Sequence, residues 1–340
     1  MHLGVIIIET RKMKWGVLGC ANIAINSVIP GIKKSINNEV TAIASRGKEK
    51  ALKVASELNI PRAYGSYEEL LADPDIEAVY IPLPNHLHKE WTIKAAQVGK
   101  HVLCEKPLAL NENEASEMIE ACEKAKVSLA EAFMYRYHPR YKQLKEIIKS
   151  GEIGEIRGIH SVFTFNNAED MENVRYKQHM GGGSLYDVGC YPISAARFIV
   201  ENEPEAVTTH AFFSSQHDQV DMMASGLIEF PNQISLTFDC GMWAEFRNSI
   251  EIVGSDGKIE VPSAFITMDG KNYLTVTKQG DSKVIEVPDV NQYTLQVDHF
   301  AQSVFQNQPL PFPSKDAYYN MKVVSACIES AKARKRIELV

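Results

Sequence analysis

The chain has no Cys-x-x-Cys pair, no apolar run long enough to cross a bilayer, no internal repeat and no low-complexity tract. Each absence removes a class of protein. Its six cysteines, at positions 20, 104, 122, 190, 240 and 327, fall singly within apolar strand or helix patterns. They read as reduced thiols of a cytoplasmic protein, not as a disulfide or zinc framework. His86 and His88 are the only closely spaced histidines, and neither cysteine nor carboxylate accompanies them at zinc spacing, so no metal is expected. The run from Leu3 to Ile8 is too short for a membrane span and lacks the basic start and cleavage site of a signal peptide. Positive charge is also in deficit. Lys and Arg number 36 against 43 Asp and Glu, a net charge of -7, which argues against nucleic acid as the partner. The one basic cluster, Lys332-Ala333-Arg334-Lys335-Arg336, closes an expected helix and complements its dipole.

The sequence does contain enough apolar material for about two domains: 340 residues, 45% hydrophobic and 23% charged. Residues 1–12 read as an N-terminal extension ahead of the first clear strand. From Lys14 onward, apolar strands at 15–19, 40–44, 78–81 and 101–104, with a short one opening at Tyr64, alternate with amphipathic helices at 22–35, 48–58, 86–98 and 112–126. Repeated strand–helix units with nearly all-apolar strands predict a parallel sheet covered on both faces, a nucleotide-binding α/β domain over 13–134. After about residue 135 the rhythm changes to long alternating segments at 156–165, 206–213, 224–230, 234–239, 248–253 and 259–262, with a hairpin turn at Gly254-Ser255-Asp256-Gly257. Helices at 141–149, 292–306 and 317–334 complete an α+β domain over 135–340, built on a large, mainly antiparallel open sheet.

Two motifs carry chemistry. The first is Gly181-Gly182-Gly183-Ser184-Leu185-Tyr186-Asp187-Val188-Gly189-Cys190-Tyr191-Pro192. Three glycines let the backbone come close to something, and a following helix puts Asp187 and Tyr191 on one face. A carboxylate beside a phenol suits a site that interconverts hydroxyl and carbonyl. The second is His101-Val102-Leu103-Cys104-Glu105-Lys106-Pro107, a strand that delivers Lys106 to its carboxyl end, where ligands bind in open α/β sheets. Proline holds Lys106 extended, and the Lys106–Pro107 bond is a candidate for the cis form.

The cofactor turn is Gly19-Cys20-Ala21-Asn22-Ile23-Ala24, a dinucleotide fingerprint with alanine at its second and third glycine positions. Gly19 would make the tight turn, Ala21 would admit a pyrophosphate, and the amides of Asn22 and Ile23 would face it. Strand two ends Ala44-Ser45-Arg46 without the carboxylate that binds ribose hydroxyls. A hydroxyl and a guanidinium suit a 2′-phosphate, so Ser45 and Arg46 favour NADP(H), with NAD(H) as the alternative.

With these motifs placed, the chain resembles the glucose–fructose oxidoreductase, inositol dehydrogenase and rhizopine-catabolism superfamily (Gfo/Idh/MocA) from about residue 14 to its end. Segments 64–71, 80–88 and 132–139 carry the resemblance as well: Tyr64-Gly65-Ser66-Tyr67-Glu68-Glu69-Leu70-Leu71, Tyr80-Ile81-Pro82-Leu83-Pro84-Asn85-His86-Leu87-His88 and Ala132-Phe133-Met134-Tyr135-Arg136-Tyr137-His138-Pro139. It implies a Rossmann domain, an open-sheet domain and an active site between them. It implies Lys106 beside the nicotinamide and the reacting hydroxyl, Glu105 at the nicotinamide ribose, and Pro82, Asn85 and His88 along the cofactor. Arg136 would flank the nicotinamide or the substrate. Many members carry His where this chain has Tyr191; tyrosine there is similar to glucose–fructose oxidoreductase, NADP-dependent xylose dehydrogenase and dimeric dihydrodiol dehydrogenase.

The expected activity is hydride transfer between nicotinamide and a CH–OH group of a sugar, polyol or cyclic diol. The alternative is a non-catalytic NADP sensor of the same fold. Lys106 or Tyr191 would carry the proton, Asp187 would orient lysine or substrate, and Arg175 would bind substrate, with His179 a weaker candidate. Desolvation and the nicotinamide charge would lower the lysine's proton affinity, and Lys106 would acidify Tyr191. Pocket loops at 163–180 and 239–247 would set specificity. The resemblance also implies a homodimer or homotetramer formed through the second sheet.

Overall fold

The computed structural model describes residues 11–267 and 270–339. The expected extension therefore lies outside the described residues up to position 10. Six strands form the first sheet: β1 (Met13–Leu18), β2 (Asn38–Ala44), β3 (Arg62–Tyr64), β4 (Ala78–Ile81), β5 (His101–Cys104) and β6 (Leu129–Glu131). All pair in parallel, in the order β3-β2-β1-β4-β5-β6. The order reverses direction at β1, which opens a crevice beyond the carboxyl ends of β1 and β4. The β4 residues Ala78, Val79, Tyr80 and Ile81 are all 0% exposed, as expected of a strand covered on both faces.

The second sheet has nine strands: β7 (Ile156–Asn166), β8 (Ala206–Phe213), β9 (Asp221–Glu229), β10 (Ser235–Gly241), β11 (Trp243–Gly254), β12 (Gly257–Pro262), β13 (Tyr273–Lys278), β14 (Asp281–Glu286) and β15 (Ile337–Glu338). Their order is β14-β13-β12-β11-β7-β10-β9-β8-β15, and among the described residues only β7 and β10 pair in parallel. One face packs on the helices Cys190–Val200 and Ser314–Ala333. The other face is open, with Thr208, His210, Ser225, Thr237, Asp239 and Glu251 lining a shallow groove of about 870 Å³.

The structure departs from the sequence expectation in several places: Tyr64 closes β3 and does not open it, and β6, β13, β14 and β15 were not expected. The first helix opens as a wide π-helical turn, Ala24–Val28, before the regular turns Ile29–Lys34. The helix Gln292–Phe305, expected with the second domain, packs back on the first sheet. Phe300 lies 5.3 Å from Trp15 between ring centroids, Thr294 donates to the Gly31 carbonyl at 2.8 Å, and Asn38 donates to Asp298 at 3.0 Å. This helix is the apolar cover that β1 and β2 need on that face, and it ties the two halves of the chain together.

Trp15 is 0% exposed, packs on Phe300 and donates from Nε1 to Asn38 at 2.7 Å. Trp15→Ala is expected to cost about 3–5 kcal/mol of unfolding free energy, read from a urea titration.

Candidate functional site

A cleft of about 700 Å³ runs between the two sheets. Its first wall is the carboxyl-end turns of the parallel strands: Gly19 to Ile23 after β1, Ser45 and Arg46 after β2, Pro82 to Asn85 after β4, and Glu105 and Lys106 after β5. Its second wall is Phe163, Phe165, Gly181 to Gly183, Asp187, Tyr191 and Phe246. The fold thus gathers the two sequence motifs, some eighty residues apart, into one space.

At the cofactor end, Gly19 has φ +122°, a conformation that side-chain-bearing residues rarely adopt, and turns the chain sharply after β1. No side chain caps the wide turn that follows, so its amides stay available to an anion. Arg46 and Lys50 both line this end, and neither has an acidic partner among the described residues. Two unpaired cations and Ser45 around the end of β2 fit a phosphate on the adenosine ribose, and no carboxylate stands there to bind free hydroxyls. Lys50 escaped the sequence reading because it lies a turn into the next helix, beyond the motif.

The turn bearing Lys106 is gripped on several sides. Tyr80 donates to Glu105 at 2.5 Å, Glu131 accepts the Leu108 amide at 2.8 Å, and His88 contacts the Pro107 carbonyl at 2.9 Å. The Lys106–Pro107 bond is cis. The Lys106 ammonium donates to the Asp187 carbonyl at 2.6 Å and to its carboxylate at 3.3 Å, and lies 4.9 Å from the centroid of the Tyr191 ring. Arg175 donates from Nε to the other Asp187 oxygen at 2.6 Å. Burial alone would raise the Asp187 carboxyl; Arg175 and Lys106 outweigh it and hold the group down at about 2. Asp187 is an anion at any working pH.

Without a nicotinamide charge beside them, Lys106 and Tyr191 both shift away from the expected direction. Burial, the largest single influence, pulls the Lys106 pKa down, but Asp187, Cys190 and Glu105 together outweigh it and the net shift is upward. Tyr191 is buried among Phe133, Tyr135, Phe163 and Phe265, and desolvation pushes its phenol well above the ordinary value, with Glu105 next among the causes. The chain's own groups therefore make neither residue more acidic. The Tyr191 hydroxyl points at Met134 Sδ, 3.8 Å away, and not along the lysine.

The three glycines serve the chain's own packing. A Cβ on Gly183, which has φ +123°, would stand 2.1 Å from Asp221 Oδ1. Asp221, 4% exposed, accepts Ser184 Oγ at 2.6 Å and the Leu185 amide at 2.7 Å. It thereby anchors the wide turn Leu185–Gly189 that carries Asp187 and leads into the helix Cys190–Val200 bearing Tyr191. Burial raises its carboxyl to about 6. Nothing near Asp221 in the sequence marks it, because its partners lie 36 and 37 residues away.

Two residues expected on the cofactor are elsewhere. His88 is 0% exposed and spends both ring nitrogens on backbone carbonyls. Arg136 is turned away from the cleft, pairing with Asp316 at 2.5 Å and donating to Ser194 at 2.6 Å. His179 sits beside His86, with ring centroids 6.4 Å apart, outside the cleft lining. Unforeseen in the lining are Asp170 and Glu172, two carboxylates on the loop between β7 and the glycines.

Asp187 sets a pH dependence of stability. Its carboxyl is held below the unfolded value, so its contribution is present at neutral pH and is lost as pH falls from about 4 toward 2. That contribution is about 2 kcal/mol. Asp187→Asn is expected to flatten that part of the curve, as followed by urea denaturation across acid pH.

Comparison with known proteins agrees with this architecture. Residues 13–133 match an oxidoreductase family described by its NAD-binding Rossmann fold, and residues 141–260 match the GFO/IDH/MocA C-terminal domain. The chain is 36% identical to a D-xylose 1-dehydrogenase (NADP(+)) of Haloferax volcanii, over 96% of this chain and 100% of that one. It is 34% identical to a trans-1,2-dihydrobenzene-1,2-diol dehydrogenase of Xenopus laevis, over 74% and 75%. A 3-ketoreductase from Actinomadura kijaniata, solved with NADP and TDP-benzene, superposes with a TM-score of 0.89 at 29% identity, covering 94% of this chain and 98% of that one. The nucleotide-side turn, the lysine–aspartate pair and the open second sheet thus sit in a chain that belongs to the Gfo/Idh/MocA oxidoreductase family.

Proposed function

We propose that the protein is an NADP(H)-dependent oxidoreductase acting on a CH–OH group of an uncharged sugar, polyol or cyclic diol. The carrying observation is the Lys106 ammonium, fixed by Asp187 in a cleft that opens at its other end onto the Gly19 turn and the Arg46–Lys50 cations. When bound, the cofactor supplies or accepts hydride at its nicotinamide. Gly19, Ala21, Asn22 and Ile23 hold its pyrophosphate; Ser45, Arg46 and Lys50 hold the 2′-phosphate; Pro82, Asn85 and Glu105 flank the nicotinamide side. NAD(H) lacks the 2′-phosphate and binds more weakly.

Lys106 hydrogen-bonds the substrate oxygen. It gives that oxygen a proton when a carbonyl is reduced and takes one when a hydroxyl is oxidised. Asp187 orients the ammonium and keeps it charged, which favours the donor role near neutral pH. Tyr191 supports the lysine from below with its ring face. Arg175, partly exposed at the cleft, binds a neighbouring hydroxyl. Asp170 and Glu172 repel an anionic substituent, since Arg175 and Lys106 are already neutralised in part by Asp187. This disfavours a nucleotide-linked sugar and favours a neutral one.

We further assign the domains to 13–134 and 135–340, with the helix Gln292–Phe305 lent back to the first. The open sheet face is the surface for a homodimer or homotetramer, and no helix among the described residues is long and apolar enough to cross a membrane. A cytoplasmic location suits the six free thiols.

Initial rates of nicotinamide absorbance change over aldoses, polyols, trans-diols and a nucleotide sugar test the assignment, with NADP and NAD in parallel. Turnover of a neutral substrate with preference for NADP is expected; NADPH binding with no turnover across the panel would refute the enzyme assignment. Lys106→Ala is expected to lower kcat by about 10²- to 10⁴-fold while NADPH still binds. In the wild type, oxidation is expected to speed up as pH rises and reduction to slow, because Lys106 must lose its proton to act as a base. Arg46→Ala with Lys50→Ala is expected to weaken NADPH binding about 10- to 100-fold and leave NADH binding unchanged in a fluorescence titration.

A further inference from the structure

We propose that His88 is a positioning residue, a strut that sets the distance between the cofactor-side segment and the catalytic lysine. Its Nε2 lies 2.8 Å from the Leu83 carbonyl and its Nδ1 lies 2.9 Å from the Pro107 carbonyl. Leu83 belongs to the segment Pro82 to Asn85, which lines the cleft after β4. Pro107 directly follows Lys106 after β5. One imidazole thus spans two turns on neighbouring strands, and each turn presents its next residues to the same cleft.

The valence of the ring makes this more than packing. Both partners are carbonyl oxygens, which only accept. Burial lowers the His88 pKa and so favours the neutral imidazole, whose one N–H donates to one carbonyl while its other nitrogen packs against the second. A histidine retained merely to fill a hole would not place both nitrogens on acceptors at hydrogen-bonding distance in a site that is 0% exposed. Both nitrogens being engaged also explains why His88 is not a cofactor ligand.

The Glu105 amide donates to the Ile81 carbonyl at 3.1 Å and joins the ends of β5 and β4; the strut acts beyond that bond, on Leu83 and Pro107. Tyr80 acts on Glu105 and Glu131 on the Leu108 amide, both from the first sheet; neither reaches the Pro82 to Asn85 segment. On the far side of that segment, Asn85 donates to the Gly181 carbonyl at 2.8 Å, so the segment also connects to the glycine loop of the second wall. Removing the ring frees the lysine turn to shift relative to the nicotinamide side. Hydride and proton transfer tolerate such shifts poorly, and a misplacement of about 1 Å costs on the order of 10²-fold in rate.

The inference rests on the proposed oxidoreductase activity, and the experiment separates the two. The substrate panel is run first on the wild type; absence of turnover there refutes the activity and not the strut. With an active substrate in hand, His88→Phe, His88→Asn and His88→Gln are compared. Phe fills the space without bonds, Asn is too short to reach both carbonyls, and Gln carries two N–H donors on one nitrogen. The rate is expressed per NADPH bound, so a variant that is merely less stable keeps the wild-type value. Phe and Asn are expected to lower kcat about tenfold or more with KM little changed, and Gln to recover part of the loss. If Phe does not fold, Asn is read by the same criterion. A folded Phe or Asn variant with wild-type kcat per bound NADPH would overturn the strut.

Discussion

The ion pair between Lys106 and Asp187 is the contact on which the site depends. One partner ends a strand of the parallel sheet; the other sits in the helical turn that opens the layer packed on the antiparallel sheet. Both side chains are largely withdrawn from water, at 13% and 14% exposure. Removing either would leave a buried charge without its counterpart, the costly case for such pairs. Arg175 on the second carboxylate oxygen keeps Asp187 an anion, and the anion keeps Lys106 a cation. A single carboxylate therefore joins the two walls of the cleft and defines the charge at the reacting position.

Much of the surrounding structure can be understood as support for that pair. Asp221 reaches from β9 to hold the first turn of the helix bearing Asp187 and Tyr191, and the glycine at 183 is what leaves it room. The aromatic cluster of Phe133, Tyr135, Phe163 and Phe265 encloses Tyr191 and fixes its ring below the ammonium. The same enclosure that orients the ring desolvates its phenol and keeps the proton on it. Rigidity at this position is obtained at the expense of acidity.

The strand–helix rhythm before residue 135 was legible because buried parallel strands are short apolar runs, and alternation announced most of the second sheet. The strands β13 and β14 were not: Thr275, Thr277 and Lys278 dilute the apolar pattern of the first, and Asp281, Ser282, Lys283 and Glu286 that of the second, which is the sheet's edge. Lys106, Asp187, Arg175 and the Gly19 turn were visible as motifs because their chemistry and local geometry are encoded within a few residues. His88 and Arg136 were placed on the cofactor by family resemblance, yet side-chain direction turns each away from the cleft, toward carbonyls and toward Asp316 respectively. Lys50, Asp170, Glu172 and Asp221 had no local signature.

The sequence by itself determined the two kinds of sheet, the cofactor turn and the reactive residue types, because hydrophobic period, glycine and charge act over one or two turns of chain. Only the tertiary structure decided which carboxylate meets which cation, and that Gly183 accommodates Asp221. It also decided that the helix Gln292–Phe305 covers the first sheet. Those outcomes depend on contacts between segments tens to hundreds of residues apart, where the energy of burial and pairing is collected only after the chain has folded.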